Sequence, residues 1–172
     1  MTTLNFDTQA IVVVLATLLT GLTAGLCFTW NNAVTPGIGQ LADIGYLRSF
    51  QEMNRSIINP AFILVFFGPL FLQIANIFLF RTSSSTIIWM VVASAALYII
   101  GVVLVTIFGN VPLNELLDKT DLMQASAEEL KLLRDKFEIK WNRLHLIRTI
   151  TATLSFLILI IICLGRMNTI NT

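Results

Sequence analysis

The chain has 172 residues, of which 56% are hydrophobic and 12% are charged, and its mean hydropathy is +0.81. A soluble domain carries about 25% charged residues, so this composition excludes an ordinary water-soluble protein and indicates a membrane protein. The net charge of +1, with no Lys/Arg-rich stretch interleaved with aromatics, excludes a nucleic-acid partner. Cys27 and Cys163 lie in apolar runs, outside any spacing typical of a metal or redox site.

Four apolar runs are long enough to cross a bilayer as helices, because the hydrocarbon core takes about 20 residues of helix. They cover residues 9–30, 59–80, 86–109 and 144–164. We therefore predict an all-α fold, a four-helix transmembrane bundle that forms a single membrane domain over residues 1–172. The predicted location is integral to the membrane, with several spans and the lipid bilayer as partner.

The first span carries Gly21 and Gly25 at the GxxxG spacing. Small residues at this spacing let two helix backbones approach closely in lipid. The stripe predicts a packing face, either against another helix of the bundle or between copies of the chain in a homo-oligomer.

The polar loop at residues 31–58 and the residue after it contribute the carboxamides Gln51, Asn54 and Asn59, set among apolar neighbours. Such amides suit a binding site for a flat, sparsely polar ligand, and we count all three as candidate substrate-binding residues. The same pattern suits a helix from 46 to 59 that lies against the membrane.

The end of the third span contains Gly109, Asn110, Pro112 and Asn114. Glycine and proline in this order predict a helix end followed by a turn. Asn110 and Asn114 also place two carboxamides at the mouth of the bundle, where their N–H groups could hold an anionic oxygen.

The connection at 110–143 contains Ser126 and Glu129 at the spacing of a capping box, followed by apolar residues at helical spacing. A helix is predicted to begin there. Because no glycine or proline interrupts the chain before Gly165, this amphipathic helix is predicted to run unbroken into the fourth span as an extramembrane extension.

Four spans place the polar loops 31–58 and 110–143 on the same face, and both termini on the other. Lys and Arg near the span ends are more numerous on the long-loop face. Since these residues favour the cytoplasm, the pattern favours termini outside.

Trp141, His145 and Arg148 lie on one face of the fourth helix, at i, i+4 and i+7. An arginine within the bilayer must face protein or a cavity, or extend to the interface. His145 is the single histidine of the chain and titrates near neutrality, so it is the candidate general base. The alternative is that Trp141 and Arg148 are interfacial anchors and His145 a packing residue.

Taken together, these segments resemble the anthrone oxygenase-like family of small membrane proteins. The matching pieces are residues 21–25 followed by Pro36, then 50–54, 59–62, 110–114 and 141–148. Characterised members of that family are similar to cofactor-free oxygenases, which insert an oxygen atom from dioxygen into an activated aromatic methylene and so turn anthrones into anthraquinones.

The resemblance implies a membrane-embedded, cofactor-independent oxygenase that acts on an aromatic or otherwise apolar small molecule, with dioxygen as co-substrate and no cofactor. Its chemistry needs a base, for which we name His145, and anion donors, for which we name Arg148, Asn110 and Asn114. Trp141 would stack against the substrate.

Two other functions compete with this prediction. A non-catalytic bundle could serve as an assembly partner or bind lipid, with the glycine stripe as its important feature. A small transporter is disfavoured, because the chain has no visible repeated half and few intramembrane charges.

Overall fold

The computed structural model describes residues 7–170, with side chains up to residue 166. All secondary structure in this described part is helical, and it comprises seven α-helices joined in places by π-helical segments. The α-helices are α1 (Thr8–Thr29), α2 (Thr35–Ile38), α3 (Asp43–Ile57), α4 (Pro60–Leu79), α5 (Ser85–Tyr98), α6 (Val111–Asp118) and α7 (Ala127–Ile170). The first, second and third π segments are Trp30–Val34, Ile99–Leu104 and Thr106–Asn110.

Four continuous helical stretches are long and apolar enough to cross a membrane. They are Thr8–Ile38, Pro60–Leu79, Ser85–Asp118 and Ala127–Arg166. The predicted four-span helical bundle is therefore confirmed, and the protein is a multi-pass integral membrane protein. The first and third stretches extend beyond the predicted spans, because π segments carry them onward into α2 and α6.

The predicted helix end at Gly109 and Pro112 is wrong, since the third stretch continues into α6. Pro112 has no backbone N–H and would interrupt a regular α-helix. The π turn bridges this position, because the backbone N–H of Val111 donates to the carbonyl oxygen of Thr106, five residues earlier. Pro112 then occupies the first turn of α6, where a missing N–H is tolerated.

The four spans form a ring in which α1 and α5 each pack against both α4 and α7. Polar bonds reinforce this ring in the apolar interior: Gln73 Nε2 of α4 donates to Ser155 Oγ of α7 at 3.0 Å, and Ser94 Oγ of α5 donates to Gln73 Oε1 at 2.9 Å. Gly21 of α1 packs within the chain, since a Cβ there would lie 2.6 Å from the Phe156 ring of α7. At Gly25 a Cβ would meet nothing within 4 Å.

The predicted capping box begins α7: the Ser126 backbone N–H donates to Glu129 Oε2 at 2.8 Å, and the Glu129 backbone N–H donates to Ser126 Oγ at 3.3 Å. The helix then runs without a break into the fourth span, as predicted.

The two long loops pack against the start of α7 rather than lying apart. Their buried side chains form one apolar cluster of Tyr46, Leu47, Phe50, Leu117, Leu122, Leu130, Phe137 and Trp141. We call α3, α6 and residues 127–141 the cap. Burial within the cap raises the pKa of the Tyr46 phenol well above its usual value. The cap closes one end of the four-helix ring and shares Trp141 with the space beneath it.

Candidate active site

A cavity of about 340 Å³ lies under the cap and is partly open to the surface. Its walls come from α1, the start of α4, the third π segment with α6, and α7, and they are largely apolar. The lining residues within the bundle are Thr23, Leu26, Cys27, Trp30, Phe62, Phe66, Thr106, Val111, Trp141, His145 and Arg148. The rim is formed by Asn54, Arg55, Ile57, Ile58, Asn114, Glu115, Asp118 and Lys119.

Two π segments contribute residues to this cavity. Trp30 is the first residue of the first π segment and Thr106 is the first residue of the third. A π turn contains one more residue than an α turn, so it changes which side chains of the helix face inward, and such turns are frequent at functional sites. Here an indole and a hydroxyl from these turns lie beside the site residues of α7: Trp30 is 5.7 Å from Trp141 between ring centroids, and Thr106 Oγ1 is 3.1 Å from Arg148 Nη1.

His145 is 2% exposed, and both of its ring nitrogens have partners. Nε2 lies 3.0 Å from the Cys27 carbonyl oxygen, and Nδ1 lies 2.5 Å from Nη2 of Arg148. A carbonyl only accepts and a guanidinium only donates, so the proton of the neutral imidazole is on Nε2. The Nδ1 lone pair therefore accepts a hydrogen bond from Arg148.

Arg148 donates to neutral acceptors. Besides His145, its Nη1 donates to Thr106 Oγ1 at 3.1 Å, and its Cζ lies 5.5 Å from the Trp141 ring centroid. Its Nε is buried without a protein partner, and among residues 7–166 no carboxylate forms an ion pair with it. An uncompensated cation in an apolar cavity attracts an anionic oxygen.

Trp141 stacks on His145, with ring centroids 4.7 Å apart and an interplanar angle of 14°. Its Nε1 donates to Oδ1 of Asn114 at 2.8 Å. This bond uses the acceptor of the Asn114 carboxamide and leaves its N–H donors for a ligand. The indole, the imidazole and the guanidinium thus form one continuous wall of α7, as the helical spacing predicts.

The structure brings five of the predicted site residues to the cavity: His145, Arg148, Trp141, Asn114 and Asn54. Asn54 had no distinguishing signal in the sequence beyond its amide. Its Nδ2 is buried without a partner at the cavity rim, so it is a free donor for a ligand oxygen.

Three predicted residues lie outside the cavity lining. Asn110 is buried behind the wall, and its Nδ2 donates to the Trp141 carbonyl oxygen at 3.4 Å. Gln51 Nε2 donates to the carbonyl oxygens of Leu117 and Thr120, so it holds the end of α6. Asn59 caps α4 by accepting the Phe62 backbone N–H at 3.0 Å.

No local signal in the sequence points to Trp30, Thr106 or the Cys27 carbonyl, because nothing distinguishes them from other residues of an apolar span. The ion pair of Arg55 with Asp118 at the rim, 2.7 Å from Nε to Oδ1, likewise has no sequence signal, since the two residues are far apart in the chain. Within the described part of the chain, no three His, Cys, Asp or Glu side chains come together as a metal ion would require.

Comparison with known families gives one match: residues 60–158, more than half of the chain, match the model of the anthrone oxygenase family. The matched region spans α4 to most of α7 and includes Asn114, Trp141, His145 and Arg148. Comparison with curated proteins and with solved structures gave no match.

Proposed function

The chain belongs to the anthrone oxygenase family, and from this premise we propose that it is a cofactor-independent oxygenase of the membrane that acts on an apolar aromatic molecule. The proposal rests on the position of Arg148. This cation lies on the wall of a largely apolar cavity and has no carboxylate partner among the described residues. The cavity volume of about 340 Å³ is within the range of small-molecule sites, about 300–1,000 Å³.

The ligand best suited to this cavity is a flat polycyclic molecule with a carbonyl oxygen opposite an acidic methylene group. The ring system would lie between the indole of Trp141 and the aromatic side chains of α4, and the carbonyl oxygen would accept from Arg148. Asn114 and Asn54 offer further donors at the rim. When the methylene loses a proton, negative charge develops on that oxygen, and Arg148 stabilises it.

The atoms and electrons of the reaction balance without a reductant. A base removes one methylene proton, and the resulting carbanion donates electrons to dioxygen as a C–O bond forms. Protonation gives a hydroperoxide, which loses water to leave a new carbonyl group. One oxygen atom ends in the product and the other in water, so the methylene supplies all four electrons that dioxygen takes up. We therefore propose dioxygen as co-substrate and no cofactor.

His145 is the proposed base, and its hydrogen bond to Arg148 sets the order of events. In the unliganded arrangement the Nδ1 lone pair accepts from Nη2 of Arg148. A ligand oxygen that takes over Nη2 would free Nδ1 to accept the methylene proton. Proton transfer leaves a positive charge on His145, next to that of Arg148, and a negative charge on the ligand. Because these opposite charges attract, proton transfer and anion binding stabilise each other.

The test is dioxygen uptake by the purified protein with anthrone, with the anthraquinone product followed by absorbance and its new oxygen traced with labelled dioxygen. Replacement Arg148→Gln removes the cation and is expected to lower kcat/KM by about 100-fold or more. The matched control is Arg81→Gln, in the exposed turn between α4 and α5, which should retain wild-type uptake. Full activity of Arg148→Gln, or no anthrone-dependent uptake by wild type, would contradict the proposal.

The alternative is a non-catalytic bundle that assembles with a partner or binds lipid. Gly25 favours it, because this residue is exposed and has open space beside it. The Phe156 ring of the same chain already packs against Gly21, so a homo-oligomer at the glycine stripe would form contacts at Gly25 alone.

A further inference from the structure

On one side of the cavity, two helical stretches separate towards the cap. The second span, α4, packs against α5 and touches the second π segment, but it has at most marginal contact with the third π segment and α6. The cavity is lined at this gap by Ile58 and Phe62 on one edge and by Thr106 and Val111 on the other. The gap therefore leads from the interior of the bundle to its outer surface.

The outer edges of this gap are apolar. Ile58 is 73% exposed and Val111 is 37% exposed. Ile58 comes just before Pro60, where α4 begins as an apolar span. Large apolar side chains exposed at the end of a span are stable in contact with lipid rather than with water.

On the part of the rim towards the cap, polar bonds join α3 to α6. Arg55, near the end of α3, pairs with Asp118 at the end of α6, and Gln51 of α3 donates to the Leu117 and Thr120 carbonyl oxygens. The apolar cluster of the cap, which includes Leu117, adjoins these bonds. Entry from water by this route would break bonds that join α3 to α6, whereas Ile58, Phe62 and Val111 at the gap are apolar.

We infer that the ligand enters the cavity sideways from the bilayer, through a lateral portal bounded by Ile58 and Phe62 on one edge and Val111 on the other. The inference rests on the proposed function, and the substrate that it implies is a polycyclic molecule dissolved in the membrane. The hydrophobic effect concentrates such a molecule in the bilayer, so the portal faces the phase in which most of the substrate is dissolved.

The test measures anthrone binding without turnover, in phosphatidylcholine vesicles under argon, by quenching of tryptophan fluorescence in rapid mixing. Trp30 and Trp141 line the cavity and report its occupation. Substitution Val111→Phe narrows the portal, and both the association and the dissociation rate are expected to fall at least about threefold, with little change in Kd. Ile58→Phe, on the facing edge, should act in the same direction.

Leu116→Phe is the matched control, because Leu116 lies on the same helix, is 53% exposed and does not line the cavity. It should keep wild-type rates. Unchanged rates in correctly folded Val111→Phe and Ile58→Phe, or faster association in Asp118→Asn, would overturn the lateral portal in favour of entry from water. Absence of quenching in wild type would instead contradict the proposed function, so the two failures are distinguishable.

Discussion

At the scale of single residues, the site depends on how the charge of Arg148 is held. A guanidinium within the bilayer usually has a carboxylate partner or extends to the interface. Here its hydrogen bonds go to a hydroxyl and an imidazole lone pair, and an indole lies beside it. These groups orient the cation without neutralising it, so its charge stays available to a ligand.

The same geometry separates two roles for His145, as a base and as a support for Arg148. In His145→Gln, the side-chain amide can donate to the Cys27 carbonyl and its oxygen can accept from Arg148, but it cannot take a proton. We expect this variant to bind anthrone under argon with near wild-type affinity while kcat for dioxygen uptake falls by about 100-fold or more. His145→Ala should lose both binding and turnover.

Substantial turnover in His145→Gln would show that His145 only positions Arg148. In that case the base is another group or water, while the proposed stabilisation of the ligand anion by Arg148 is unaffected.

At the scale of helices, the third span approaches α7 closely at Gly101, in the second π segment. A Cβ at this position would lie 2.5 Å from the Thr151 side chain, including its own Cβ. Because Thr is branched at Cβ and restricted in rotation, it cannot turn away from the contact. Glycine at this position thus sets the distance between the helices that carry Thr106 and Arg148.

Gly101→Ala is therefore expected to force these two helices apart and to lower the free energy of unfolding by about 1–3 kcal/mol. Gly25→Ala, where the added methyl meets nothing within 4 Å, is the matched control and should cause no loss. Thermal unfolding in detergent, followed by circular dichroism, measures both. Equal stability of the two variants would mean that the close contact at Gly101 contributes nothing.

At the scale of the whole molecule, the cap joins the two long loops to α7 and closes the bundle at the site end. Arg134 of α7 is the main polar link: it donates to the carbonyl oxygens of Gly39 and Leu41 at 2.7 and 2.8 Å, and pairs with Asp43 at 3.0 Å. Its Cζ also lies 4.5 Å from the Tyr46 ring centroid. One side chain therefore fixes the start of α3 against α7.

Arg134→Ala should release the start of α3 and cost about 2 kcal/mol of stability, because several hydrogen bonds to a largely buried cation are lost together. Limited proteolysis within residues 39–45 should become faster, alongside a lower melting temperature. Lys131→Ala is the control, since Lys131 pairs with Asp135 on the exposed surface and such pairs contribute little. If both variants resist proteolysis like wild type, Arg134 does not hold the cap.

The amino-acid sequence is sufficient to predict the number and the approximate limits of the spans, because crossing a bilayer requires a local run of apolar residues. It also determined the capping box at Ser126 and the shared face of Trp141, His145 and Arg148, because helical periodicity decides which residues of one helix lie together. The family resemblance is confirmed by the match over residues 60–158, which includes the pieces 110–114 and 141–148 that carried it.

Which side chains meet across the chain becomes apparent only in the folded protein. Several of the predicted site residues carry a carboxamide. Asn110 and Gln51 donate to backbone carbonyl oxygens, whereas Asn114 and Asn54 line the cavity. Whether a carboxamide faces the cavity depends on the π segments and on how α6 packs beneath α3. Both are set by contacts between residues far apart in sequence. The portal also depends on tertiary packing, because a gap between two helices cannot be read from the sequence of either helix alone.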